Sequence, residues 1–113
     1  MEDLGIGNIV ASRSLRSKDG VRINVYISEP YLHDESNEEY WCKYVIDWGS
    51  ERKVRYAIGI DSVQSLCLAM KKIGTDLYTS ELYRSGSLVW DGGMQERDLG
   101  FPVPDVIRDL ASG

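Results

Sequence analysis

The clearest pattern in the chain is a run of apolar residues at helical spacing in its centre. These residues are Val63, Leu66, Cys67, Met70 and Ile73. Their separations of three and four positions are typical of a helix with one buried stripe. Asp61 lies just before the stripe as a candidate N-cap, and Gln64, three positions later, forms a variant of the capping box. The pattern predicts a long amphipathic helix over about residues 61–82.

Gly74 leaves the end of this helix open to two interpretations. Glycine favours a helix C-terminus, but the apolar stripe continues in phase to Leu77. We expect the helix to continue to about Leu82, with Gly74 on the buried side, where its missing side chain permits close packing. An interior glycine costs about 1 kcal/mol relative to alanine, a cost that tertiary packing can offset.

Alternating apolar and polar residues predict antiparallel strands on both sides of the helix. The clearest alternation runs from Val21 to Ile27. Residues 18–20 before it are predicted to form a hairpin turn, since such turns favour glycine and Gly20 is available there. The stretch from Tyr31 to Asn37 is expected to be a polar loop. The predicted strands cover about residues 8–17, 21–29, 39–48 and 53–60, with a short strand at about 87–90.

The strand faces indicate how the helix packs. Val54, Tyr56, Ile58 and Ile60 form one face of the fourth strand. We expect Leu66 and Met70 to be buried against Val54, Tyr56 and Ile58 of this face. The third strand carries large apolar groups on both faces, so either both faces are covered or Trp41 marks a contact surface. The prediction is a single domain over residues 1–113 with an α+β fold. It consists of an antiparallel β-meander of about four to five strands with one long amphipathic helix packed on one face.

The tail, residues 98–113, is expected to be anchored by Phe101, the only phenylalanine of the chain. Phe101 lies between Gly100 and Pro102, which restrict the backbone on both sides, and we predict that its ring pins the tail to the core. Residues 105–111 are expected to form one or two turns of a terminal helix.

Composition indicates a cytoplasmic protein. No apolar run is long enough to span a bilayer, and the first five residues lack the basic and apolar regions of a signal peptide. Cys42 and Cys67 form no CxxC pair, so we expect two buried thiols in a reducing compartment. No cofactor is predicted.

Charge indicates a protein partner. The formal net charge of -5 argues against nucleic acid. Between Glu29 and Glu39 the chain holds five acids and no Lys or Arg, an asymmetry that can steer a cationic partner. The candidate partner-binding residues are Asp34, Glu35, Glu38, Glu39 and Trp41.

The sequence offers no catalytic motif, and no catalytic residue is predicted. It contains no GxSxG, HExxH or Walker loop. The only histidine, His33, has acidic neighbours that are suitable metal ligands, but their spacing matches no specific metal site. A solvated loop is therefore preferred to a metal site, and no metal ligand is assigned.

The second half of the chain, from Tyr40 onward, resembles a small uncharacterised bacterial domain family. The resemblance rests on Gly59-Ile60-Asp61-Ser62-Val63-Gln64-Ser65-Leu66, on Leu88-Val89-Trp90 and on Leu99-Gly100-Phe101-Pro102. Members share a G-[IV]-D-S-x-Q-x-L helix start and a late G-F-P. The resemblance implies no chemistry, and therefore no site residues. Small acidic bacterial proteins of this kind are similar to immunity proteins encoded beside secreted toxins.

These observations favour a non-enzymatic cytoplasmic binding protein, and within that class an immunity protein that neutralises a basic bacterial toxin domain. Two alternatives remain open. One is a small metal-dependent enzyme that uses His33 and the neighbouring acids. The other is a structural subunit that forms homo-oligomers through an open strand edge or through Trp41.

Overall fold

A computed structural model describes residues 4–104 of the protein. These residues form one antiparallel sheet with a helix packed on it, which confirms the predicted α+β class. In chain order the elements are β1 (Ile9–Ser17), β2 (Arg22–Ser28), β3 (Tyr31–Asp34), β4 (Glu39–Asp47), β5 (Arg52–Gly59), α1 (Ser62–Tyr78), α2 (Glu81–Arg84) and β6 (Leu88–Val89).

The sheet is built on the predicted meander. β1 pairs with β2, β2 with β4 and β4 with β5, all antiparallel, and β6 pairs with the outer edge of β1. β5 pairs with residues 40–47 of β4. Since a strand has two edges, β2 and β3 must share the other edge of β4, with β3 beyond β2.

The prediction of a polar loop from Tyr31 to Asn37 is wrong. Residues 31–34 instead form β3, which pairs with the start of β4, and a tight turn at residues 35–38 connects the two strands. Pro30 interrupts the chain between β2 and β3, because proline supplies no N–H for a ladder. After this interruption the chain pairs again with β4, the strand that β2 also pairs with.

Helix α1 begins as predicted and ends earlier than predicted. Asp61 is the N-cap, and its Oδ1 accepts a hydrogen bond from Gln64 N at 2.7 Å. Gln64 Oε1 accepts from Ile60 N, one residue before the cap, rather than from the cap itself. The helix runs past Gly74 but ends at Tyr78 instead of Leu82.

Ser80, whose backbone leaves the helical conformation at φ -66° and ψ 152°, accounts for the early end of α1. Thr79 Oγ1 donates to Thr75 O at 2.6 Å, and Ser80 Oγ donates to Leu77 O at 2.6 Å. Such bonds compete with helical ones. Ser80 then adopts an extended conformation and caps the short helix α2 by accepting from Tyr83 N.

The buried stripe of α1 lies in a different phase from the predicted one. Val63 is 68% exposed, and Cys67 is also exposed. Leu66 and Met70 are half-buried and pack against the core. The fully buried positions on the helix are Ser65, Ala69, Ile73, Gly74, Leu77 and Tyr78.

The main reversal concerns β5. Its apolar residues Val54, Tyr56 and Ile58 point to the side of the sheet opposite the helix and are exposed. Ile60, which follows the strand, is exposed as well. Ala57 lies opposite Cys42 and Arg55 opposite Tyr44, so these β5 residues share the helix face with the core residues of β4. The predicted packing of Leu66 and Met70 on Val54, Tyr56 and Ile58 is therefore wrong.

Close approach of the helix explains this choice of face. A Cβ atom added to Gly59 would lie 2.5 Å from Ser65 N. The side of β5 that bears Ala57 and Gly59 therefore lets the start of α1 lie almost against the strand. A side that bears Tyr56 and Ile58 would hold the helix farther away.

Residues 99–102 of the tail pack on the opposite side of α1, at Gly74. A Cβ atom at Gly74 would lie 2.0 Å from Pro102 O, so glycine is required for this contact. Phe101 is buried in the core, as predicted, and Leu99 N donates to Tyr78 Oη at 3.0 Å. The predicted terminal helix at residues 105–111 lies outside the described residues.

Candidate functional site

The sheet face opposite α1 carries an apolar and aromatic surface that no described element covers. On β5, Val54 is 55% exposed, Tyr56 44% and Ile58 42%. Trp41, directly opposite Ile58 on β4, is half-buried on the same face. Exposed apolar residues that are contiguous rather than scattered are typical of interaction sites. We call this surface, residues Trp41, Val54, Tyr56 and Ile58, the outer face.

An aromatic row crosses the outer face from β3 to β5. The indole of Trp41 stacks on Tyr56 with ring centroids 4.1 Å apart and on His33 with centroids 3.7 Å apart. Tyr31 contacts His33 edge-to-face at 5.9 Å. Cross-strand aromatic contacts stabilise a sheet and also hold these side chains in place. The row therefore forms a firm, amphipathic platform with little side-chain entropy left to lose on binding.

The predicted acidic residues lie at one end of this row. Asp34 ends β3, Glu35 and Glu38 belong to the turn, and Glu39 begins β4. The structure thus brings Asp34, Glu35, Glu38, Glu39 and Trp41 together in one hairpin. We refer to residues 34–39 as the hairpin tip.

Two of these acids, Asp34 and Glu39, also have local structural roles. Asp34 accepts from Ser36 N at 3.0 Å and from Asn37 Nδ2 at 2.7 Å, and these bonds hold the turn. Glu39 Oε1 accepts from Trp41 Nε1, which fixes the orientation of the indole. Glu38 adopts φ +50°. Glu35, with Glu38, is exposed at the tip and points charge into solvent.

His33 belongs to the aromatic row. Its ring lies between those of Tyr31 and Trp41, where stacking accounts for its position. Among residues 4–104, no group of three or more His, Cys, Asp or Glu side chains is arranged to hold a metal ion.

A groove lies on the helix side of the sheet, between the β4–β5 turn and the end of α1. Its volume is about 520 Å³, with Tyr44, Ile46 and Trp48 along one wall. Arg55 Nε lies 3.8 Å from Asp76 Oδ2 at its edge. Tyr44 Oη lies 3.4 Å from the same oxygen, and burial, reinforced by the Asp76 carboxylate, raises the pKa of Tyr44. The hydroxyl therefore stays protonated, and it anchors Asp76.

The two cysteines differ in environment. Cys42 is buried, as predicted, and burial raises the pKa of its thiol to about 11. Cys67 is exposed on α1, which contradicts the prediction of two buried thiols. The difference follows from the phase of the buried stripe, which places position 67 on the solvent side.

Sequence reasoning missed most of the outer face. Tyr31 was expected in a loop and Val54, Tyr56 and Ile58 in the core, yet all four lie on the same face of the sheet as Trp41. The length of the Gly49-Ser50 turn could have indicated which side chains of β5 lie on the outer face. A two-residue loop pairs position 48 with position 51, and this register places Tyr56 opposite Lys43 and Ile58 opposite Trp41 rather than opposite the core residues of β4.

A family model described as a domain of unknown function (DUF6968) matches residues 11–103. The match starts well before Tyr40, so the similarity covers more of the chain than its second half. No curated protein and no solved structure matches the chain. Within the described residues, no helix has the length and apolar character needed to cross a membrane.

Proposed function

We propose that this chain, which belongs to the DUF6968 family, is a non-enzymatic binding protein for a cationic protein partner. More specifically, we propose an immunity protein that acts in the cytoplasm and neutralises a basic bacterial toxin domain. The hairpin tip would meet the cationic surface of the toxin, and the outer face would supply the apolar contact.

One observation supports this proposal above all: exposed carboxylates lie at the tip of the same β3–β4 hairpin that carries Tyr31, His33 and Trp41 of the aromatic row. Exposed charges at the rim of an interface mainly accelerate association. Large aromatic side chains at its centre mainly slow dissociation. Glu35 and Glu38 suit the first role, and Trp41, held by Glu39 and stacked on Tyr56, suits the second.

The immunity function is tested with the protein encoded by a gene adjacent to the one for this chain. If that protein is a toxin, co-expression of this chain should restore the growth of cells that produce it. The two purified proteins should also form a complex whose association rate falls as salt rises. Failure to protect cells, combined with no complex at low salt, would contradict the proposal.

The role of the charges is tested by the double variant Glu35→Gln, Glu38→Gln. Asp34 is left unchanged because it holds the turn. We expect slower association at low salt and little change at high salt, because charges are screened over about 8 Å at physiological ionic strength. A matched control, Glu51→Gln with Glu96→Gln, removes two exposed acids outside the hairpin and should have a smaller effect.

The role of the aromatic row is tested by Trp41→Ala. Here we expect faster dissociation with an association rate close to that of the wild type, since the lost contact is short-ranged. Equal association rates for the Glu35, Glu38 variant and its control at low salt would mean that the hairpin tip is only a solvated turn.

A further inference from the structure

We propose that β5 pairs with β5 of a second copy of this chain, so that two sheets join into one across a two-fold axis centred on Tyr56. Such pairing does not require the proposed toxin partner. It is supported by the open edge of β5, by the residue pairs that a two-fold axis would create, and by the lack of like charges facing each other in that register.

The open edge follows from the hairpin between β4 and β5. Trp48 N donates to Glu51 O at 2.8 Å, so residue 51 bonds toward β4. Bonding direction alternates along a strand, and the backbone groups of residues 53, 55, 57 and 59 therefore also point toward β4. Those of residues 52, 54, 56 and 58 point away from it. Among residues 4–104, β4 is the only strand that pairs with β5.

Lys72 provides independent evidence that the backbone groups of Tyr56 point away from β4. Its Nζ reaches across from α1 and donates to the backbone oxygen of Tyr56 at 3.0 Å. The Tyr56 carbonyl is therefore accessible from outside the sheet. A lysine at an edge strand is also a common means of discouraging uncontrolled strand pairing.

A two-fold axis centred on Tyr56 creates favourable pairs on the outer face. Tyr56 would lie opposite Tyr56 of the second copy, and Val54 opposite Ile58 in both directions. The backbone groups of all three point away from β4, so each pair can exchange hydrogen bonds once the Lys72 ammonium releases the Tyr56 carbonyl. The two aromatic rows would then meet at the axis, because Tyr56 already stacks on Trp41.

The alternative centres are less favourable. An axis on Val54 would place Lys53 opposite Arg55 of the second copy, and like charges directly opposite each other destabilise a sheet. An axis on Ile58 would place Tyr56 opposite Ile60, whose N–H already bonds to Gln64 Oε1 at 2.8 Å. Only the axis on Tyr56 uses the full apolar stretch from Val54 to Ile58.

The charges along the strand favour a second copy in this register. Arg52, Lys53 and Arg55 each lie 3.4–3.8 Å from an acid of their own chain, namely Asp47, Glu51 and Asp76. Antiparallel pairing about Tyr56 places these cations opposite Ile60, Gly59 and Ala57 of the second copy, so no like charges face each other. On the helix face, Arg55 would lie opposite the small residue Ala57. A single strand edge buries less than the roughly 1,200 Å² of standard interfaces, so the dimer should depend on concentration.

The test is a charge exchange measured by sedimentation equilibrium over a range of concentrations. Wild-type protein should shift from the mass of one chain to that of two. Val54→Lys with Ile58→Lys should stay monomeric, because lysines would face each other twice. Val54→Lys with Ile58→Glu should dimerise again, because each lysine would then face a glutamate. Circular dichroism should show all three folded, since both positions are exposed.

Lys72→Met provides a second test. Removing the ammonium frees the Tyr56 carbonyl for pairing, so the dimer should tighten several-fold, whereas the matched change Lys71→Met should leave it unaltered. Wild-type protein that stays monomeric at all concentrations, even with Lys72→Met, would overturn the proposal. Equal dimerisation by the Lys-Lys and Lys-Glu variants would also overturn it.

Discussion

Gly74→Ala should change stability in opposite directions in an isolated helix and in this fold. In an isolated helix, alanine in place of an interior glycine would stabilise by about 1 kcal/mol. Here the added Cβ would lie 2.0 Å from Pro102 O and 3.1 Å from the carbonyl carbon. Those are backbone atoms, so the tail must move away from the helix.

The cost follows from what the tail buries. Leu99 is fully buried and Phe101 is 7% exposed. Exposing a buried apolar side chain of this size costs about 1.5–3 kcal/mol. Two such side chains, less the gain in helix propensity, give a net destabilisation of about 2–5 kcal/mol for full displacement of the tail.

Urea unfolding provides the measurement, with Thr75→Ala as the matched control. Thr75 is the next residue on α1 and is exposed, so its change to alanine should be neutral or slightly stabilising. Hydrogen exchange gives a second readout, because Leu99 N–H bonds to Tyr78 Oη and should lose protection in Gly74→Ala. A variant as stable as the wild type, with the Leu99 amide still protected, would refute this account of the tail.

Three further predictions concern the helix start and the thiols. Asp61→Ala removes the acceptor for Gln64 N and should lower the free energy of unfolding by about 0.5–2 kcal/mol; an unchanged urea midpoint would contradict the capping role. Cys67 should react with a maleimide in the native state, whereas Cys42 should react only after unfolding. Because the pKa of Cys42 is raised in the folded state to about 11, the unfolded chain loses that proton first as pH rises above about 9, and stability should fall there. Cys42→Ala should weaken this pH dependence.

The sequence alone determined the features that depend on neighbours along the chain. The N-cap at Asp61 needs only a carboxylate three residues before an orphan amide, and the alternation from Val21 to Ile27 needs only the two-residue period of a strand. The same holds for Phe101, because a single large ring between Gly100 and Pro102 has few alternatives to burial. The fold class followed from the order of such elements.

The tertiary structure decided which face of each element is buried. Strand β5 alternates clearly, but alternation does not reveal which of its two faces meets the helix, and a shift of one residue in pairing exchanges them. Close packing of α1 at Gly59 required the small face, and Tyr56 and Ile58 were left outside. The phase of α1 and the exposure of Cys67 depend on the same contact. Of the candidate site, the sequence therefore predicted Trp41 and the acids of the hairpin, whereas it placed Val54, Tyr56 and Ile58 in the core, although their apolar side chains form a surface.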